Sequence, residues 1–151
     1  MKAEFTFLPT EDLQDGEIML RLRETKPADP VRGRVPAYLF DICLMDGTKV
    51  GVCDLRIGHT QGLYYGGNIG YEVDAPWRGH HYAGKACKLL LKLARRHELG
   101  YVYITCDPAN TASAKACEYA GGRLIAIADL PEDNDMYLQG ARQVKVYRVE
   151  V

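Results

Sequence analysis

Between residues 67 and 99 the hydrophobic pattern changes period, and a glycine-bearing loop marks the change. The stretch GNIGYEV (67–73) has the alternation and composition of a strand, ended by Pro76. Over 83–99, Ala86, Leu89, Leu90, Leu93, Ala94 and His97 recur at helical spacing, while Lys85, Lys88, Lys92, Arg95 and Arg96 take most of the remaining surface. Gly100 then supplies a C-terminal cap. The stretch YVYITC (101–106) reads as the next strand. Strand, helix and strand in this order predict one βαβ crossover, with two parallel strands flanking the helix.

The rest of the chain is antiparallel in character. Two β-rich runs over 38–57 flank Asp46-Gly47, a dipeptide that favours a tight hairpin turn, and Phe40, Ile42 and Leu44 share one face. A second helix is expected over 110–120, closed by Gly121-Gly122, followed by strands over 123–130 and 143–151. The Pro- and Gly-rich stretch 25–33 reads as a loop inside the domain. The expected fold is α/β (α+β): a mixed, mainly antiparallel sheet flanked by helices, in one domain over 1–151.

Composition excludes several function classes. Lys plus Arg (19) nearly cancel Asp plus Glu (20), and a net charge of -1 gives no general attraction to nucleic acid or to an anionic membrane. The start MKAEFTFLPT lacks the apolar core of a secretory signal, and no apolar run approaches the roughly 18 residues a membrane span needs. Five scattered cysteines without a C-x-x-C pair argue against a disulfide framework or structural zinc and suit a reducing cytoplasm. The surface composition neither requires nor forbids a homodimer.

The loop RGHHYAGKA (78–86) suggests a phosphate site in two ways. From Gly79 to Lys85 it spells G-x-x-x-x-G-K, a nucleotide-binding P-loop, but Ala86 stands where a hydroxyl should meet magnesium. The chain after Ala86 is also too short for several βα units of about 30 residues each. The other reading needs only a strand, exposed backbone N–H groups and a helix N-terminus with its partial positive charge. An ordinary glycine-bearing turn before a helix would look the same.

Here a resemblance adds to the residues. Arg78-Gly-His-His-Tyr-Ala83 resembles the Q/R-x-x-G-x-G/A loop of the GNAT N-acetyltransferase superfamily. Asn110-Thr-Ala-Ser113 with Ala120-Gly121 resembles the N-x-x-S … G-F signature on that family's next helix. The span 66–122 is similar to a bacterial subgroup of predicted acetyltransferases, whereas the preceding chain matches only in coarse strand order. The family's inner glycine falls at His81 here, and its frequent tyrosine acid falls at Cys117. Tyr119 lies two residues on, about 200° around the helix, and should face elsewhere.

The resemblance implies acetyl-CoA as co-substrate, no metal, and direct transfer of the acetyl group to a primary amine of a small-molecule or peptide acceptor. It implies that Tyr71 and Val73 bind the pantetheine arm through their backbone. Arg78, Gly79, His80, His81, Tyr82, Ala83, Gly84 and Lys85 would hold the pyrophosphate, and Asn110 and Ser113 would contact the cofactor. Glu72 leads the candidates for a base, ahead of Asp54 and His59. Cys117, as a thiol of ordinary pKa near about 8.5, would either protonate the leaving thiolate or be a small buried residue. By the same resemblance an N-terminal helical region and the loop between the last strands build the acceptor pocket. Asp129, Glu132, Asp133 and Asp135 make that loop acidic, opposite a basic stretch of Arg21, Arg23, Lys26, Arg32 and Arg34. The alternatives are a non-catalytic acyl-CoA-binding module and a P-loop-like nucleotide-binding protein.

Overall fold

The fold is taken from a computed structural model that describes residues 5–151. Seven strands, β1 (Ile18–Lys26), β2 (Ala37–Leu44), β3 (Lys49–Arg56), β4 (Ile69–Val73), β5 (Tyr101–Cys106), β6 (Arg123–Asp129) and β7 (Gln143–Glu150), form one sheet in the order β1-β2-β3-β4-β5-β7-β6. Four helices, α1 (Gln61–Gly66), α2 (Tyr82–Arg96), α3 (Thr111–Tyr119) and α4 (Asp135–Leu138), interrupt them. Only β4 and β5 run parallel, joined through α2 as the sequence predicts. All other neighbours are antiparallel. This topology removes the P-loop expectation, because such a loop opens a parallel sheet.

The main core lies between the sheet and α2. Ala86, Leu90, Leu93 and Ala94 of α2 are fully buried against Phe40, Leu55 and Ile104, which point to the same side of their strands. The helix stops at Arg96, three residues before the expected end. Glu98 there takes a φ of 56°, a left-handed turn that ends helical bonding, and His97 leaves the helix axis to share a hydrogen bond between its Nε2 and the Tyr38 hydroxyl at 2.6 Å.

Three elements were not anticipated. Strand β1 was hidden because a bulge between Leu22 and Glu24 breaks its alternation, so that Glu24 and Lys26 join the face of Arg21; Arg21 and Arg23 lie 3.4 and 3.8 Å from Asp41 of β2. Helix α1 is short, capped by Thr60, and α4 is shorter, capped by Asn134. Conversely, no α-helix precedes α1 among the described residues. Pro27, Pro30, Gly33 and Pro36 explain this, since proline inside a helix removes a donor and clashes with the preceding turn. The segment between β1 and β2 instead closes on itself: Asp29 and Arg34 exchange two backbone hydrogen bonds of 2.9 Å around a 3-10 turn, Pro30–Arg32.

Asn68, 1% exposed, fastens the sheet at its centre. Its Nδ2 donates to the carbonyls of Arg56 and Gly58 at 2.9 Å each, and its Oδ1 accepts from the Tyr103 N–H at 2.9 Å. Its own backbone donates to Tyr103 O and accepts from Arg56 N, both at 2.7 Å. One residue thus ties β3, β4 and β5 together where β4 begins. Asn68→Ala leaves two buried carbonyls and a buried N–H without this partner. It is expected to lose about 3 kcal/mol of stability, or about 10 °C in Tm, measured by denaturant and thermal unfolding.

Candidate active site

Beyond the Asn68 fastening, β4 and β5 part. Their only paired residues are Ile69 and Ile104. From Gly70 onward β4 stays bonded to β3, through the pairs Asp54–Gly70, Cys53–Tyr71, Val52–Glu72 and Gly51–Val73. Gly51 is required there, because a Cβ would come within 2.3 Å of the Glu72 carbonyl oxygen. The edge of β4 facing β5 is therefore left without a strand partner along Tyr71, Glu72 and Val73.

On the helix side of this gap lies the loop into α2. Gly79 has a φ of 95° and His81 a φ of 62°, so the chain turns sharply before the helix. Among the described residues the N–H groups of Gly79, His80 and His81 have no hydrogen-bond partner, and those of Tyr82 and Ala83 begin α2, where no helical carbonyl precedes them. His81 does more than replace a glycine: its ring stacks on Tyr119 with centroids 5.0 Å apart. Gly84 admits Tyr119 to the first turn of α2, since a Cβ there would meet the ring at 2.4 Å. Tyr119 thus faces the loop, away from Cys117 as its helical position predicts, and it braces the loop in a role the sequence did not reveal.

Several expected cofactor residues have other partners. Arg78 Nε donates to the Val73 carbonyl at 2.9 Å, which ties the loop back to β4 and occupies a group expected to meet pantetheine. Lys85, expected on the pyrophosphate, is ion-paired with Glu17 before β1. Asn110 caps α3, its Oδ1 accepting from Ser113 N at 3.0 Å. The Tyr71 side chain crosses from β4 to α3: its hydroxyl donates to Ser113 O at 3.0 Å and lies 2.6 Å from Ser113 Oγ and 3.5 Å from Cys117 Sγ. Burial foremost holds this phenol above its ordinary pKa.

Cys117 is fully buried, and its pKa is not the ordinary one expected. Hydrogen bonding with Cys106, then burial, push its thiol far up, while the bond from Cys117 pulls Cys106 down. A thiol held this firmly protonated is a poor match for protonating a CoA thiolate.

The opposite face of the sheet carries a cleft of about 1090 Å³. The strand registers set side chains of that face in rows across the sheet. Arg21, Asp41, Val52 and Glu72 form one row, Glu24, Leu39, Asp54 and Gly70 the next, and Lys26, Ala37 and Arg56 a third. Asp54 and Glu72 both line the cleft, as diagonal neighbours on β3 and β4. The Asp54 side chain is 24% exposed, with Oδ2 3.2 Å from Arg56 Nε. Its Oδ1 lies over Gly70, where a Cβ would approach to 2.4 Å and push this carboxylate aside. Burial raises the Asp54 pKa above the usual carboxylate range, against the pull of Arg56 and Lys26.

The remaining candidates lie elsewhere. His59 Nε2 bonds the Leu99 carbonyl at 2.9 Å and its ring packs on Tyr101. Of the acidic loop only Asp135 lines the cleft, while Asp129 accepts from Gln143 at 3.1 Å. The segment 27–36 forms the cleft wall in place of the expected helices. His80 stacks on Tyr82 at 5.2 Å, and no group of three metal-binding side chains occurs among the described residues.

Comparison with known proteins accords with this geometry. Residues 4–123 match the family model described as acetyltransferase (GNAT) domain. No curated protein matches the sequence. Among solved structures, a proposed ribosomal-protein-serine acetyltransferase from Vibrio cholerae is similar at TM-score 0.67 and 18% identity, covering 95% of this chain and 100% of that one. RimL, a ribosomal L7/L12 α-N-protein acetyltransferase solved with coenzyme A, is similar at TM-score 0.66 and 16% identity, covering 91% and 96%. The microcin C7 self-immunity acetyltransferase MccE, solved with acetyl-CoA and AMP, is similar at TM-score 0.60 and 20% identity, covering 76% and 61%. At these identities the structural likeness is one of fold.

Cys117→Ala removes a buried thiol that the Tyr71 hydroxyl does not need, because Ser113 supplies both of its closer contacts. Steady-state CoA release by this variant is expected to stay within about threefold of the parent, since loss of a working general acid would cost about 100-fold or more.

Proposed function

The chain belongs to the GNAT acetyltransferase family, and on that premise we propose that it transfers an acetyl group from acetyl-CoA to a primary amine by direct attack. One observation supports this reading: β4, unpaired with β5 beyond Ile69, lies between a loop of free amide donors on the helix side and a carboxylate-lined cleft on the other face. The pyrophosphate sits on the N–H groups from Gly79 to Ala83, where the α2 dipole favours negative charge. The pantetheine arm follows the free edge of β4, so that the thioester carbonyl arrives in the gap. The amine enters from the cleft.

Its nitrogen forms the new C–N bond with the carbonyl carbon, a backbone N–H of β4 polarises the oxyanion, and the C–S bond breaks as CoA thiolate leaves. Asp54 accepts the proton that the ammonium sheds before attack, and the second proton, released as the amide forms, goes to the departing CoA thiolate. The Oδ2 of Asp54 is held by Arg56 and its other oxygen stands over Gly70 beside the gap. Glu72, exposed on the same face, attracts and orients the incoming ammonium.

Two experiments test this reading. Acetyl-CoA at about 100 times its Kd should stabilise the protein by roughly 2.7 kcal/mol, a shift of several degrees, whereas Mg-ATP should not. Stabilisation without CoA release for any amine would favour a binding module. In turnover, Asp54→Asn should lower kcat/KM about 100-fold, and Glu72→Gln should act mainly on KM. A base must be deprotonated, so kcat/KM of the parent should fall as pH drops through a value above the usual carboxylate range. Asp54→Asn should lose that acid limb; an unchanged limb would remove Asp54 from the mechanism.

A further inference from the structure

The cleft also carries information about the acceptor beyond its amine. On its floor Asp54 and Glu72 offer negative charge within one residue row of each other. Lys26 and Arg34 line the same cleft with positive charge. Most other cations of this face are already engaged. Arg21, Arg23 and Lys49 surround the buried Asp41 at 3.4 to 3.8 Å. Arg56 holds Asp54 and also donates to the Gly66 and Gly67 carbonyls. Arg32 lies 3.6 Å from Asp29.

Lys26 and Arg34 differ. Arg34 has no ion pair among the described residues, yet its backbone is fixed by the two hydrogen bonds with Asp29. Among the described residues Lys26 has only a loose contact of 3.8 Å with Glu24, two positions away on its own strand, and 56% of its side chain is exposed. It stands one row along and two strands across from Asp54, about 7 Å along the strands and about 10 Å across them, and its long side chain carries its charge close enough to act on the Asp54 carboxylate. Two cations, one on a braced loop, therefore line the same cleft as the two carboxylates.

Resting on the acetyltransferase reading, we propose that the acceptor is an amine carrying an anionic group a few bonds away, its nitrogen toward Asp54 and Glu72 and its anion toward Lys26 and Arg34. A carboxylate, a phosphonate or an acidic side chain beside a peptide amino terminus shares this chemistry. Simple alkyl amines and polyamines do not, because they would place hydrocarbon or a second cation against Lys26 and Arg34.

The test compares matched pairs that differ only in the anion: β-alanine with β-alaninamide, 3-aminopropylphosphonate with propylamine, and an Ala-Asp peptide with its Ala-Asn counterpart. CoA release is measured for each, together with calorimetric binding of each to protein saturated with CoA. The anionic member of at least one pair should show kcat/KM or affinity at least tenfold above its partner, and the pair that responds most identifies the anion's source. In Lys26→Glu/Arg34→Glu that ratio should fall to about one or invert. Equal or better use of the neutral members, or a ratio unmoved by charge reversal, would overturn the proposal while leaving acetyl transfer intact. Failure of acetyl-CoA to bind would instead remove the acetyltransferase reading. Should no pair turn over while acetyl-CoA binds, absence of the tenfold binding preference would still overturn the acceptor assignment.

Discussion

Asn68 settles where the sheet is closed and where it is open. A buried amide gains net stability only when its donors and acceptor are all matched, and here the donors go to the end of β3 and the residue just beyond it while the acceptor takes an N–H of β5. That network joins β4 to β5 at one residue pair and to the end of β3. Past it, β5 continues straight with β7 while β4 stays with β3, so the two parallel strands separate without leaving the sheet. The opening follows from a fastening placed at one end only.

Where β4 and β5 no longer pair, the two faces of the sheet differ in character. The helix face is apolar, with a loop whose amide donors are unspent, and the tight turn at Gly79 and His81 aims them away from the core. The other face carries rows of alternating charge under a proline-stiffened loop. Direct transfer requires such a division, since donor and nucleophile must approach one carbon from different directions. In the proposed mechanism Asp54 would serve both requirements: its carboxylate packs over Gly70 where β4 leaves β5, and burial raises its pKa.

Much of the helix face was legible in sequence because its signals are local. The period change around 67–99, the glycine-bearing loop and the N-x-x-S run fix the βαβ unit, and the parallel pair around α2 is where they put it. The cleft was less legible because it depends on register between distant strands. Glu72 drew attention by its place on β4, whereas the importance of Asp54 needs Gly70 opposite it, a pairing no spacing rule conveys. Strand β1 was concealed by its bulge, and Tyr119 matters only because Gly84 and His81 meet it across two helices. The expected N-terminal helices came with the family resemblance; the prolines of the chain opposed them.

The central claim is that the free edge of β4 and the loop into α2 together form the coenzyme site. Amide hydrogen exchange with and without saturating CoA reads that claim residue by residue. Protection should appear at Tyr71 and Val73, whose amides face the open edge of β4, and at Gly79 to Ala83, and leave the already bonded amides of Glu72, β1 and β2 unchanged. Protection confined to other segments, or none at these two while CoA is bound, would contradict it.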